Sequence, residues 1–341
     1  MLMSLSKAVC VQHKRLGRIS NKGTGSFWSD RGLEKHWLEA HWSVNKSWDI
    51  VIDVRFSLCP AVGFLAVSYA VTYNEIEDPW SFDVYAAYRD NWIDPLADDT
   101  PLSSLAIPGT RDSMTYGLKS SLKQSQNANL YWQLAGGIRY IDVTCVYDKD
   151  DIQIYHGLLE PTFSLSIVLE TVFDFLDVNK RETVILRIQR GGIFGNSEIF
   201  LRYFNEYFVP GSELGDRAAQ RVYSKDGGIT TVPTLGELRG KVFILQDFET
   251  SPPGKYGLPW SPDTVSSYKH RFAVSTLFLE SKWNGIKSHL KEAPSPDSDK
   301  LRITHTTATY GASPIDVAAR NERDVGMNKY LGRNLLNKRG T

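Results

Sequence analysis

The chain has 341 residues, enough for one large α/β barrel plus a modest extra region. Its 42% hydrophobic and 23% charged residues are ordinary for a globular protein, and 39 basic residues balance 39 acidic ones. A formal net charge of zero gives no polyanion-binding signal, so nucleic acid is not an expected partner, whereas aromatic and apolar rim residues leave a membrane surface open.

The N-terminus, M-L-M-S-L-S-K-A-V-C-V-Q-H-K-R, puts its weak apolar run before its basic residues, the reverse of a secretory signal. The most apolar stretch, Ala61–Tyr73, is too short to span a bilayer. No targeting or membrane-spanning segment is therefore expected, and the compartment stays open. Cys10, Cys59 and Cys145 lack metal-ligand spacing and allow at most one disulfide.

Residues before about Asn45 show no period and read as poorly ordered. From Trp48 to Phe56, Ile50, Ile52, Val54 and Phe56 alternate as in a strand, and Phe64–Tyr73 and Ser81–Tyr85 read as further strands. Residues 1–84 are thus expected to be a partly disordered, then β-rich region. After Asn91, expected strands are Ser104–Ile107, Ile138–Val146, Ile152–Tyr155, Val184–Ile188, Val242–Gln246 and Leu301–Thr306. Expected helices are Leu165–Val178, Ser197–Phe208, Ser275–Leu290 and Pro314–Leu331, with a polar loop at Lys291–Lys300. This alternation favours a parallel α/β barrel over residues 85–341.

Four motifs carry chemistry. L-S-S-L-A-I-P-G-T-R-D-S-M-T-Y-G at Leu102–Gly117 delivers a polar cluster after a short apolar run. G-G-I-R-Y-I-D-V-T-C-V is followed by Y-H-G at Tyr155–Gly157. F-L-D-V-N-K-R-E-T-V-I-L and then L-R-G-K-V-F-I-L-Q-D with Y-G-L-P-W come downstream. In this order the motifs resemble the phosphatidylinositol-specific phospholipase C X-domain family, across roughly Tyr85 to Leu331.

The resemblance implies a distorted TIM-type barrel of the PLC-like phosphodiesterase type, cleaving a phospholipid phosphodiester by general acid–base catalysis. In the family one histidine takes the proton of the inositol 2-hydroxyl, and another protonates the departing glycerol oxygen. His156 matches the second histidine; a hydrogen-bonded loop histidine is the plain alternative. Asp112 matches a group that orients the base or binds a metal, although a turn-capping aspartate would look the same. Asp142 matches a family acid on the strand, where a buried carboxylate needs either a site or an ion partner.

Arg111 stands where the family keeps its base histidine. A guanidinium stays protonated and cannot accept a proton, but it can clamp a phosphate or pair with Asp112 or Asp142. Impaired or absent turnover is the expectation. Thr144 replaces the family's charge-neutralising arginine or acidic calcium ligand, and Gln189 a further carboxylate or substrate-binding lysine, which argues against a calcium site and for no cofactor. Arg187, sharing a strand face with Gln189, is a candidate phosphate partner or an ion-paired arginine. Asp247 sits where bacterial members of the family place a substrate-binding arginine, and Tyr268 matches an aromatic that stacks on inositol.

Relatives continue into a last strand that this sequence is read as lacking, leaving a gap in the barrel wall. The expected partners are phosphatidylinositol or a related phospholipid and, transiently, a membrane surface, with the chain a monomer. A non-catalytic phospholipid or inositol-phosphate binding module is the alternative. A metal-dependent glycerophosphodiesterase needs clustered carboxylates that Glu182–Leu186 does not supply.

Overall fold

Two compact units divide the chain, Met1–Glu77 and Asp78–Thr341. The computed structural model describes residues 22–29, 36–44, 50–56, 67–71, 89–118, 123–156, 163–192, 197–269, 279–291, 300–307, 314–318 and 326–337. In the first unit β1 (Lys22–Ser29), β2 (His36–Val44), β3 (Ile50–Phe56) and β4 (Val67–Val71) form an antiparallel sheet in chain order. Two of these strands fall in the stretch read as aperiodic, which corrects that expectation. The signal was present in β2, where Leu38, Ala40, Trp42 and Val44 alternate and pair with Phe56, Val54, Ile52 and Ile50. The strand expected at Ser81–Tyr85 lies outside the described residues.

In the second unit the expected strand at Ser104–Ile107 is absent. Leu102–Ser104 makes one turn of 3-10 helix, because Pro101 offers its carbonyl to the Ser104 hydroxyl at 2.7 Å and to the Ser104 N–H at 3.0 Å. Only Gly109 bridges to the next strand, parallel, opposite Tyr140. A Cβ at Gly109 would sit 2.7 Å from the Tyr140 ring, so the close approach requires glycine.

Helix α1 (Leu130–Ala135), capped by Asn129, leads into β5 (Tyr140–Asp148). The next strand, β6 (Asp151–Tyr155), returns antiparallel rather than crossing over: Asp148 pairs with Asp151 across a two-residue turn. Lys149 and Asp150 both take positive φ, 49° and 63°, as a tight hairpin demands. A short β7 (Phe163–Ser164) pairs with β6 and passes into α2 (Leu165–Val178). That helix has the expected bounds: Leu165, Val168, Leu169, Val172, Phe173 and Leu176 form one buried stripe, and the Ser164 hydroxyl caps its start.

The chain continues through β8 (Val184–Arg190), α3 (Ser197–Glu206), α4 (Glu213–Arg221), α5 (Leu235–Leu238), β9 (Val242–Asp247), β10 (Leu258–Pro259) and β11 (Val265–Tyr268). It then forms α6 (Leu279–Lys291), β12 (Leu301–Thr304), α7 (Pro314–Ala318) and α8 (Met327–Asn337). The single helix expected over Pro314–Leu331 is therefore two, the second starting just after Gly326. The sheet order is β10-β9-β8-β5-β6-β7, with β10, β9, β8 and β5 parallel, and β11 pairs parallel with β12.

Strand alternation gives this wall two faces. Ile141, Val143 and Cys145, Leu186 and Ile188, and Ile244 pack outward with α2 and α3. Tyr140, Ile185, Phe243, Leu245, Val265 and Leu301 belong to the inner cluster. This is a distorted TIM-type barrel, and among the described residues no ladder joins β12 back to Gly109. At the N-terminal end, buried Glu182 receives Arg139 Nε at 2.7 Å and the Ile93 and Asp94 amides at 2.8 Å. Toward the C-terminal ends, the inner rows turn polar: Asp142 and Thr144 on β5, Arg187 and Gln189 on β8, and Asp247 on β9. The same parity places Lys269 and His305 just past β11 and β12.

Candidate active site

The loop after Gly109 is tied down by its own hydroxyls. Thr110 Oγ1 donates to Gln133 Oε1 at 2.7 Å, and the fully buried Ser113 Oγ accepts the Asp142 amide at 2.9 Å. Gln133 also donates to the Ser113 and Ala128 carbonyls at 2.8 and 2.7 Å. The threonine and serine of P-G-T-R-D-S are therefore framework, fixing the two charged residues between them. Asp112 takes a left-handed φ of 47°, tolerated better by aspartate than by most residues.

Asp112 is the hinge of the first cluster. Its Oδ2 lies 3.4 Å from Arg111 Nε and 3.4 Å from His156 Nδ1, the latter just beyond β6. Burial raises the Asp112 carboxyl, but the His156 hydrogen bond and the Arg111, His156 and Lys269 charges outweigh it and hold the group below its usual range. Gln126 Nε2 donates to the Arg111 carbonyl at 2.9 Å. Arg111 Nη1 is buried with no hydrogen-bond partner among the described residues.

A second cluster stands one row inside. Arg187 Nη1 donates to both Asp142 oxygens at 3.0 Å, and its Nη2 to Asp247 Oδ2 at 2.5 Å. The guanidinium lies over the Trp260 ring, 4.0 Å from its centroid. Arg187 is thus ion-paired on both sides, with Asp142 and Asp247. Burial raises the Asp142 carboxyl despite the opposing Arg187 and Arg111 charges. Gln189 is in register with Thr144 and Asp247, in the outermost row.

Tyr268 does not join these groups. It is out of phase with Val265 and Ser267, its ring stacks on His289 at 5.6 Å, and it packs with the Leu279, Trp283 and Ile286 cluster of α6. The ring expected to stack on inositol therefore lies against α6 instead.

Three further groups were passed over by sequence reasoning, two continuing the inner rows and one on α6. Lys269 follows β11; burial and the Arg111 and Arg187 charges lower its ammonium. Lys282, on α6, is fully buried and donates to the Thr307 carbonyl; burial and Arg111 lower it to about 8. His305 follows β12 and is 6% exposed. The parity of Val265 and Leu301 could have placed Lys269 and His305 on the inner face, but no motif marks them.

The donor set does not fit a calcium ion. Both Asp142 oxygens are engaged by Arg187, and Thr144 and Gln189 bring neutral groups where a tight site needs several carboxylate oxygens.

A model of the phosphatidylinositol-specific phospholipase C X domain matches residues 100–247. A 1-phosphatidylinositol phosphodiesterase of Listeria monocytogenes is 31% identical over 241 residues, covering 64% of this chain and 68% of that protein. One from Staphylococcus aureus is 23% identical over 194 residues, covering 55% and 57%. The solved phosphatidylinositol-specific phospholipase C from Listeria monocytogenes is similar at a TM-score of 0.56 and 27% identity, over 73% of this chain and 86% of that one. The F249X mutant of the Staphylococcus aureus enzyme gives 0.53 at 18% identity over 68% and 83%, a likeness of fold alone.

Proposed function

Because the chain belongs to the phosphatidylinositol-specific phospholipase C X-domain family, we propose that it is a phosphoric diester hydrolase acting on phosphatidylinositol or a related phospholipid at a membrane surface. The observation that carries this reading is one carboxylate, Asp112, set 3.4 Å from both an imidazole and a guanidinium at the strand ends. His156 serves as the general acid: it gives its proton to the departing alcohol oxygen while Asp112 holds the ring. Arg111 is a phosphate clamp, since it donates hydrogen bonds and accepts no proton. Its buried, unpartnered Nη1 supports that role. Asp142, Arg187 and Asp247 form the floor beneath the phosphate, with Gln189 at their rim. The chemistry belongs to residues 85–341, with residues 1–84 an appended region, and the working unit is a monomer.

Turnover is slower than with a histidine at position 111, because a displaced base costs on the order of a hundred- to ten-thousand-fold. Arg111→His should raise cleavage of phosphatidylinositol vesicles, measured as released inositol phosphate. An unchanged rate, well above that of His156→Ala, overturns the missing-base account. The second reading, a binding module, rests on the same unpartnered Arg111 nitrogen. It calls for soluble inositol phosphate to bind by calorimetry without being turned over from lipid, and for Arg111→Ala to weaken it by roughly 1.5–3 kcal/mol.

A further inference from the structure

We infer that His305, not residue 111, accepts the proton of the attacking hydroxyl in this chain. The inference rests on the hydrolase reading above and supplies the base which that reading leaves without an owner. His305 extends the β11–β12 ladder by one step, its amide donating to the Tyr268 carbonyl at 3.0 Å. It continues the inner row of Leu301 and Ile303, both packed in the interior cluster. The ring is buried, at 6% exposure.

The charged groups around this ring come from four directions. Its field includes the charges of Arg111 on the P-G-T-R-D-S loop, Arg187 on β8, Lys269 at the end of β11 and Lys282 on α6. Burial, then these four cations, lower the imidazole to about 3, so it is neutral and has a lone pair to offer. Several other groups of the mouth are already committed. Asp142 is held by both its oxygens, Lys282 donates to a carbonyl, and Asp112 is shared between Arg111 and His156.

A neutral ring this reluctant to charge is a weak base in the empty site. The phosphodiester supplies the correction, because its negative charge settles among the same cations and offsets the field opposing an imidazolium. Basicity thus rises only when substrate is in place. In the step itself the imidazole nitrogen takes the hydroxyl proton as that oxygen bonds to phosphorus. The bond from phosphorus to the glycerol oxygen breaks, and His156 protonates the oxygen that leaves. Solvent exchange returns a proton to His156 and removes one from His305.

The test compares cleavage of mixed phosphatidylinositol and phosphatidylcholine vesicles by the parent, His305→Gln, Arg111→His and the double variant, with thermal unfolding followed on each. His305→Gln should lower kcat by about a hundredfold or more. The double variant should recover the rate of Arg111→His, because a histidine at position 111 makes His305 dispensable. A His305→Gln protein as fast as the parent overturns the inference while leaving the hydrolase reading intact. A double variant as slow as His305→Gln also overturns it, since the loss is then structural. A parent without any turnover overturns the hydrolase reading and this inference together.

Discussion

Arg187 holds a charge in the barrel interior with two carboxylates and an indole around it. Removing one partner of such a buried pair strands the other, which typically costs about 3–5 kcal/mol. Asp142→Ala should therefore lower denaturant stability by about that amount, and Asp247→Asn by less, because Asp247 is 23% exposed while Asp142 is 3% exposed. The His305 ring makes a second, pH-dependent claim. Its folded value of about 3 lies below the ordinary 6.5, so between these the unfolded chain binds more protons and stability rises with pH. The contribution is complete above 6.5 and is lost as pH falls toward 3. Unfolding curves across that window should be steeper in pH for the parent than for His305→Gln; equal slopes would refute the assignment. At this scale the sequence motifs singled out Arg111, Asp112 and His156, and the Arg111 and His156 side chains lie 3.4 Å from the Asp112 carboxylate. They were silent on His305 and Lys282, whose importance depends on which cations the fold gathers around them and on no local pattern.

Two turns set where the site residues stand. The Gly109 bridge brings the Arg111–Asp112 loop against β5, and an added methyl there meets the Tyr140 ring at 2.7 Å. Gly109→Ala should cost about 1–3 kcal/mol and weaken inositol phosphate binding through displacement of the loop. Unaltered binding and melting would show that the loop has room to give. The Lys149–Asp150 turn points β6 back along β5 and so sets His156 opposite the loop. Lys149→Asn should stabilise by up to about 1 kcal/mol, as asparagine tolerates the left-handed backbone better, with thermal unfolding as the readout. Elements with a clean local period, α2 above all, were legible in sequence. The reversal at β6 was not: the positive φ of Lys149 and Asp150 contradicts the usual glycine or asparagine turn signal.

For the whole second unit, the ordering principle is a change from apolar to polar rows along the inner face, from Ile185 and Phe243 to Gln189 and Asp247. The alternation of strand and helix announced the barrel. Closure depends on neighbours distant in sequence and left no such mark. Because the outer rows are cationic or neutral apart from carboxylates already paired, calorimetry should find no stoichiometric micromolar calcium binding, and a chelator should leave cleavage unchanged. No described helix is long and apolar enough to cross a membrane.

Cys145 sits on the outer face of the central strand β5, with no exposed surface. Burial, with the Asp142 charge, pushes its thiol above the ordinary range, so the reactive thiolate does not form while β5 is in place. In a chain with Cys10 and Cys59 changed to serine, this sulfur becomes a clock for opening of the barrel. When opening and reclosing are faster than the reagent, the labelling rate reports the equilibrium between closed and open forms. A molecule that binds only the closed form slows the clock by a factor of one plus its concentration over Kd. Ligands of the mouth can then be ranked by the silence of a thiol on the opposite face of the same strand, with no turnover required.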